Sequence, residues 1–137
     1  MNNIVLDTNC LVISLSRRSK YYSVWKDFFE GKYILCYTND ILTEYEEILT
    51  QKMGKEIAGN IINVILTRKN TVKMDVHFHF NLIQSDPDDN KFVDCAVMAN
   101  ARYIVTQDHH FDALHAIDFP KVDVIGIETF LKVLATD

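Results

Sequence analysis

The chain has 137 residues, a formal net charge of −5 and a hydrophobic fraction of 48%. We expect residues 1–137 to form a single domain, because this length is enough to bury a core. The acidic balance argues against a protein that coats nucleic acid by bulk electrostatic attraction. The sequence contains no apolar run of about 18 residues and no signal-peptide pattern, and its three cysteines lack zinc-type spacing. We therefore expect a cytoplasmic protein with reduced thiols and no membrane segment.

The predicted elements alternate between strands and helices along the chain. In order, they are a strand ending at Leu6, helices over 10–16 and 22–30, a strand over 33–37, helices over 40–52 and 55–67, a short strand over 72–74, a helix from Asp86-Pro87 to Asn100, strands over 103–106 and 121–125, and a helix over 127–134. Residues 76–80 alternate as in a strand extension or an edge segment. This alternation predicts an α/β fold, a three-layer α/β/α sandwich around a mostly parallel sheet.

Two of the predicted strands run directly into an aspartate. Asp7 follows the first strand, and Asp108 follows the strand that begins at Tyr103. Ligands of parallel sheets bind beyond the carboxyl ends of the strands, so we expect both carboxylates at one edge. Because like charges repel at short distance, this pattern predicts a divalent metal between them.

Helical periodicity adds further candidate acids. In the helix opened by Asp86-Pro87, Asp89 lies within about 30° of the centre of the apolar face. Asp94 lies almost opposite that face, so we expect it to face solvent. In the helix after the second strand, Glu44 and Glu46 flank the apolar stripe symmetrically, and periodicity does not choose between them.

Four segments of the chain resemble, in order and spacing, the motifs of PIN-domain nucleases. They are Ile4-Val5-Leu6-Asp7-Thr8-Asn9, Thr38 to Glu44, Asp86-Pro87-Asp88-Asp89-Asn90-Lys91-Phe92 and Tyr103 to Asp108. The resemblance covers nearly the whole chain and is closest to the bacterial branch described as toxin components of toxin–antitoxin systems.

The resemblance implies a set of four acids that bind Mg²⁺ or Mn²⁺ and carry the catalysis. They are Asp7, Glu44, Asp89 and Asp108, and the supporting polar residues are Thr8, Asn9, Asn90 and Thr106. Other branches of the family have the third acid at the position of Asn90. Asp94, one helical turn further on, is the alternative third acid.

The function implied by the resemblance is metal-dependent hydrolysis of RNA phosphodiester bonds by an endoribonuclease. The resemblance also implies that a protein antitoxin is a partner and that the protein forms a homodimer. The densest basic segment contains Arg17, Arg18 and Lys20, and we expect it to bind the RNA backbone, although a solvated surface is the simpler interpretation. His109 and His110 directly follow Asp108, but histidines at such spacing are usually surface residues.

Two other functions are compatible with a sheet that ends in acidic residues. An aspartate-based phosphatase or phosphotransfer domain would use Asp7 as phosphoacceptor, but the chain has Asn9 where such a site has a second aspartate. A non-catalytic PIN-like binding module would have lost its acids. All four acidic positions are filled, which favours the nuclease.

Overall fold

Five short parallel strands form the centre of the molecule in a computed structural model that describes residues 1–83, 86–118 and 120–136. The strands are β1 (Asn3–Leu6), β2 (Ile34–Tyr37), β3 (Thr71–Lys73), β4 (Tyr103–Val105) and β5 (Val124–Ile125). Their order across the sheet is β3-β2-β1-β4-β5, and every neighbouring pair is parallel. The predicted α/β fold with a parallel sheet is confirmed.

The two central strands determine where the functional edge of the sheet lies. Leu6 of β1 pairs with Val105 of β4, so the residues that follow them leave the sheet side by side. Strand order also reverses between β1 and β4, because the chain first moves outward to β3 and then returns to β4. Ligand sites of open parallel sheets occur at this kind of position.

Six α-helices surround the sheet in the parts of the chain that the structure describes. They are α1 (Thr8–Ile13), α2 (Tyr22–Phe29), α3 (Asn39–Met53), α4 (Lys55–Thr67), α5 (Asn90–Ala99) and α6 (Ile127–Thr136). Among them, α5 contacts β1, β2 and β4 and also contacts α3. Across the described ranges, we find no helix with both the length and the apolar character that a bilayer crossing requires.

Local interactions explain where α3 and α4 begin. The Thr38 hydroxyl accepts a hydrogen bond from the Ile41 N–H at 3.2 Å, which caps the first turn of α3. Gly54 has φ +87°, a conformation that side chains with a Cβ rarely adopt, and it joins α3 directly to α4. These two helices therefore form a tight hairpin.

The fold departs from the prediction at three segments. Residues 76–80 form no strand extension: the Met74 N–H donates the last bond to the Tyr37 carbonyl, where the partner strand β2 ends. The chain also forms a 3₁₀ turn over Pro87–Asp89 and a 3₁₀ helix over His109–Ala116. Both 3₁₀ segments carry acidic or histidine side chains next to the functional edge.

Aromatic residues form a large part of the buried core. The Tyr33 and Phe130 ring centroids lie 5.2 Å apart, and those of Phe92 and Phe111 lie 6.4 Å apart. The buried Tyr45 hydroxyl donates a 2.6 Å hydrogen bond to the Leu6 carbonyl. This bond satisfies a buried hydroxyl and joins α3 to the end of β1, one residue before the first candidate acid.

Candidate metal centre

Asp7 and Asp108 lie together where β1 and β4 end. The Asp7 N–H bonds to the Val105 carbonyl at 3.0 Å, which extends the strand pairing by one residue. The Thr106 hydroxyl donates to the Asp7 carboxylate at 2.7 Å and accepts from the Asp108 N–H at 3.0 Å. Burial raises the pKa of Asp7 although the Thr106 bond lowers it, and repulsion from Glu44 and Asp108 adds to the rise.

Glu44 approaches the same place from α3. The buried Thr8 hydroxyl donates a hydrogen bond to one oxygen of its carboxylate. The Lys91 ammonium lies 2.6 Å from the other oxygen. Glu46, by contrast, is exposed. The structure thus separates the two glutamates that periodicity left equivalent.

Three of the four predicted acids share one cavity of about 420 Å³. Asp7, Glu44 and Asp108 line it together with Thr8, Asn9, Ile48 and Gln107. Thr8 and Asn9, which the resemblance implied as supporting residues, thus line the same cavity as the three acids. Three negative side chains around one open space are electrostatically unfavourable without a cation.

Asp89 lies beside this group, on the 3₁₀ turn before α5. Its Oδ2 atom is buried and has no hydrogen-bond partner among the residues that the structure describes, and the closest basic group, the His110 ring, has its Nδ1 atom 3.4 Å away. Burial raises the pKa of Asp89 to about 7, with further increases from Asp86, Asp108 and Asp7. The nearby His110 ring lowers the pKa of Asp89 but offsets this rise only in part.

His110 and Asp86 complete the surroundings of Asp89. The His110 Nδ1 atom lies 3.2 Å from Asp108 Oδ1 and 3.7 Å from Asp86 Oδ2. Asp86, Asp89 and His110 offer ligand atoms that all lie within 4.8 Å of one another. His110 is exposed, as we expected for a surface residue. Its contact with the acids was not predicted, and it arises because Asp108 caps the 3₁₀ helix by accepting from the His110 N–H at 2.9 Å.

Residues 3–110 match the family model described as the PIN domain. The chain belongs to the PIN domain family. This is a family of nucleases, and the match includes all four motifs that the sequence resemblance rested on. No curated protein matches the sequence.

Solved structures share the fold of this PIN domain at low sequence identity. Rickettsia felis VapBC2, bound to a DNA fragment from their promoter, is 14% identical with a TM-score of 0.62, covering 90% of this chain and 98% of that one. DNA-bound VapBC from Salmonella typhimurium is 14% identical with a TM-score of 0.61, covering 93% and 99%. Mycobacterium tuberculosis VapC20, a sarcin-ricin loop cleaving toxin, is 11% identical with a TM-score of 0.58, covering 80% and 93%.

Asp94 of this PIN domain does not face solvent, so that expectation was wrong. Its side chain is buried, accepts a 3.0 Å hydrogen bond from the Phe80 N–H and lies 3.2 Å from His79 Nδ1. The reason is that residues 76–83 cover the outer face of α5, so both sides of the helix are packed. Asp94 lines a different cavity, of about 260 Å³, from the one shared by Asp7, Glu44 and Asp108.

Asn90 is buried and serves the same covering segment. Its side-chain oxygen accepts from the Ile83 N–H and its amide nitrogen donates to the Ile83 carbonyl, both at 2.8 Å. Both polar atoms of Asn90 are therefore occupied by backbone. In this PIN domain Asn90 supports the chain beside Asp89 and is absent from the lining of the 420 Å³ cavity.

The basic segment lies on the surface between α1 and α2. Arg17 and Arg18 are exposed, and Lys20 pairs with Glu128 of α6 at 3.0 Å. None of the three basic residues lines the cavity of the acids. The structure brings the acids together but places this segment outside their group.

The donor chemistry of the centre suits a hard divalent cation. Carboxylate oxygens are the ligands that Mg²⁺ and Mn²⁺ prefer. The buried, unpartnered Asp89 Oδ2 is the observation of this PIN domain that a bound cation would explain. The residues present therefore fit a metal.

Proposed function

We propose that this PIN domain is a metal-dependent endoribonuclease that hydrolyses RNA phosphodiester bonds. The observation that carries the proposal is the convergence of Asp7, Glu44 and Asp108 on one cavity, with the unpartnered oxygen of Asp89 beside it. Repulsion between the carboxylates makes such a cluster unfavourable in the absence of a cation. Carboxylates with perturbed pKa values are typical of functional sites, and the chain belongs to a family of nucleases.

Asp7, Glu44, Asp89 and Asp108 would hold Mg²⁺ or Mn²⁺. When bound, the ion supplies a Lewis acid and an activated water for phosphodiester hydrolysis. The protein's part is to keep the carboxylates in place, and hydrogen bonds to ligating carboxylates serve that purpose. The Thr106 hydroxyl fixes Asp7 in this way, and the Thr8 hydroxyl fixes Glu44.

We propose that Arg17, Arg18 and Lys20 contact the RNA backbone outside the acidic cavity. The two arginines are exposed, and an acidic centre needs nearby positive charge to attract phosphate. The ion pair of Lys20 with Glu128 is also exposed, and solvent and salt screen pairs of this kind so that they contribute little to stability. Exchange of Glu128 for a phosphate would therefore cost little.

We also propose that the protein is the cytoplasmic toxin of a toxin–antitoxin pair, restrained by a protein antitoxin and dimeric. The sequence resemblance is to such toxins, and the similar structures include VapBC complexes and a toxin. Three buried, free cysteines are consistent with a reducing compartment. Expression of the wild type should stop bacterial growth, and expression of Asp7→Asn should not.

A cleavage assay with matched variants tests the nuclease. Wild type, Asp108→Asn and Glu46→Gln are purified in parallel, and RNA cleavage is followed with EDTA, Mg²⁺ or Mn²⁺. We expect cleavage by wild type and by the exposed-site control Glu46→Gln, only with metal, and a strong loss in Asp108→Asn. Equal activity in all three preparations would indicate a contaminating nuclease. Wild type that neither binds metal nor cleaves would be a non-catalytic module.

A further inference from the structure

Lys91, the second residue of α5, has an unusual environment for a lysine. Its ammonium lies 2.6 Å from Glu44 Oε1 and 3.0 Å from Asp88 Oδ2. Its side chain is only 16% exposed, whereas lysine side chains are almost always largely solvated. The contacts with Glu44 and Asp88 therefore hold the Lys91 ammonium in one position.

The two carboxylates that Lys91 contacts are not equivalent. The Glu44 side chain is 22% exposed and lines the acidic cavity, whereas the Asp88 side chain is 76% exposed. The contact with Asp88 spans three residues of the chain, and exposed pairs of this kind contribute little. The contact with Glu44 is more enclosed, so the position of Lys91 depends mainly on it.

The same contact completes a clamp on Glu44. The Thr8 hydroxyl, at the start of α1, holds one carboxylate oxygen, and Lys91 holds the other from α5. Glutamate has one more rotatable bond than aspartate, so the end of its side chain needs such partners to stay in one orientation. Donors from two different helices fix the plane of the Glu44 carboxylate.

We propose that Lys91 is a positioning residue that orients Glu44 for the metal centre. This proposal rests on the proposed nuclease function. An ammonium has three donors, and Glu44 and Asp88 use two of them, which leaves Lys91 poorly placed to bind a substrate phosphate as its main task. Partners of metal-ligating carboxylates typically affect metal affinity or activity by about 10–100-fold.

The test compares variants that remove, keep or bypass the contact with Glu44. Lys91→Met removes the charge at similar length, Lys91→Arg keeps a donor, and Asp88→Asn changes only the second partner. We expect Lys91→Met to lower kcat and Mn²⁺ affinity about 10–100-fold, with KM for an RNA oligonucleotide changed by less than about threefold. Lys91→Arg should retain most of both, and Asp88→Asn should resemble wild type.

Two measurements separate this role from its competitors: steady-state cleavage, and Mn²⁺ titration by calorimetry without RNA. A raised KM with unchanged kcat would make Lys91 a phosphate contact and overturn the proposal. Tighter Mn²⁺ binding by Lys91→Met would make it a counter-ion that competes with metal, and would overturn it too. If Lys91→Met does not fold, Lys91→Gln takes its place with the same expectations.

The two proposals fail in different ways. Wild type that binds no Mn²⁺ and cleaves no RNA would end the nuclease proposal itself. Wild type that binds and cleaves, together with a folded Lys91→Met of unchanged kcat and Mn²⁺ affinity, would end only the positioning role.

Discussion

Two aspartates of the centre, Asp7 and Asp89, differ in the hydrogen bonds that their carboxylates accept. Asp7 follows a buried strand, and the Thr106 hydroxyl donates to its carboxylate at 2.7 Å. Asp89 lies on a 3₁₀ turn, and no described residue offers a hydrogen bond to its buried Oδ2 atom. A hydroxyl of the protein therefore orients the Asp7 carboxylate, whereas Asp89 Oδ2 is buried without such a donor among the described residues.

This difference shows how the fold distributes the cost of gathering negative charge. A neighbouring hydroxyl lowers the pKa of Asp7 and offsets part of the effect of burial. Asp89 has no comparable donor, and burial with two nearby aspartates, Asp86 and Asp108, raises its pKa to about 7. We infer that the protein itself orients Asp7 at the end of β1. Asp89, on the 3₁₀ turn, is the carboxylate that a bound cation would stabilise most.

The largest expected effect follows from removing the anchored acid. Asp7→Asn keeps the shape of the side chain but removes a charge, and we expect metal-dependent cleavage to fall by more than about 100-fold, the upper range for partners of metal ligands. Melting temperature in EDTA should stay the same or rise, because repulsion within the cluster decreases. Activity within tenfold of wild type would show that Asp7 is not a ligand, taking about tenfold as the lower limit for such partners.

Asp89 and Asp94 form the next test, because both were candidates for the third acid. We expect Asp89→Asn to lose cleavage strongly and Asp94→Asn to retain it, since Asp94 is bonded to the Phe80 N–H and lies outside the shared cavity. Cleavage rates of the two folded variants decide the assignment. The reverse result would transfer the third acidic role to Asp94.

Removing the Thr106 hydroxyl should leave the Asp7 carboxylate without its side-chain hydrogen-bond donor, as at Asp89. Thr106→Val keeps the shape but deletes the donor to Asp7, and we expect cleavage to fall about 10–100-fold, as for other partners of metal ligands. Thr129→Val, at an exposed position of α6, is the matched control. A Thr106→Val protein as active as this control would mean that Asp7 needs no anchor.

Stability in EDTA should depend on pH through Asp89. The folded pKa is about 7, and the unfolded value is about 4, so the folded state binds the proton more tightly. The contribution of Asp89 is therefore complete below pH of about 4 and is lost as pH rises through about 7. Denaturant titrations from pH 5 to 8 should show wild type losing more stability than Asp89→Asn. Parallel profiles would remove Asp89 as the source.

The smallest effect is expected outside the acidic cluster. Replacing Arg17 and Arg18 with alanine should weaken binding to all RNAs similarly and reduce the salt slope by about 0.7 for each lost single-strand phosphate contact. Catalytically inactive protein and several salt concentrations give this measurement. The double variant Lys52→Ala/Lys69→Ala, at two other exposed basic positions, is the control. Equal affinity and slope in both would remove Arg17 and Arg18 from the substrate path.

The acids at strand ends could be predicted because apolar runs locate buried parallel strands well. Asp7 and Asp108 each follow such a run, and the pairing of Leu6 with Val105 brings them together. The choice between Glu44 and Glu46 could not be made from periodicity, because it depends on contacts with other elements. The metal-binding role of each acid stays a prediction.

The remaining differences between the prediction and the structure concern side chains whose positions depend on tertiary contacts or on segments without helical or strand periodicity. A helical wheel assumes one buried face, but residues 76–83 bury the opposite face of α5 and with it Asp94. His110 reaches the acids through a 3₁₀ helix whose capping residue is Asp108. Lys91 belonged to a recognised motif, yet only the tertiary structure shows that it contacts Glu44.

The paired bonds between Asn90 and Ile83 also restrict which sequences can occupy this turn. An amide both accepts from and donates to the Ile83 backbone, whereas a carboxylate can only accept and would leave the buried Ile83 carbonyl without a donor. Exchanging the two residues, Asp89→Asn with Asn90→Asp, would therefore not recreate the same site one position later. Acid and amide at these neighbouring positions are coupled, and substitutions there have to change together with the covering segment.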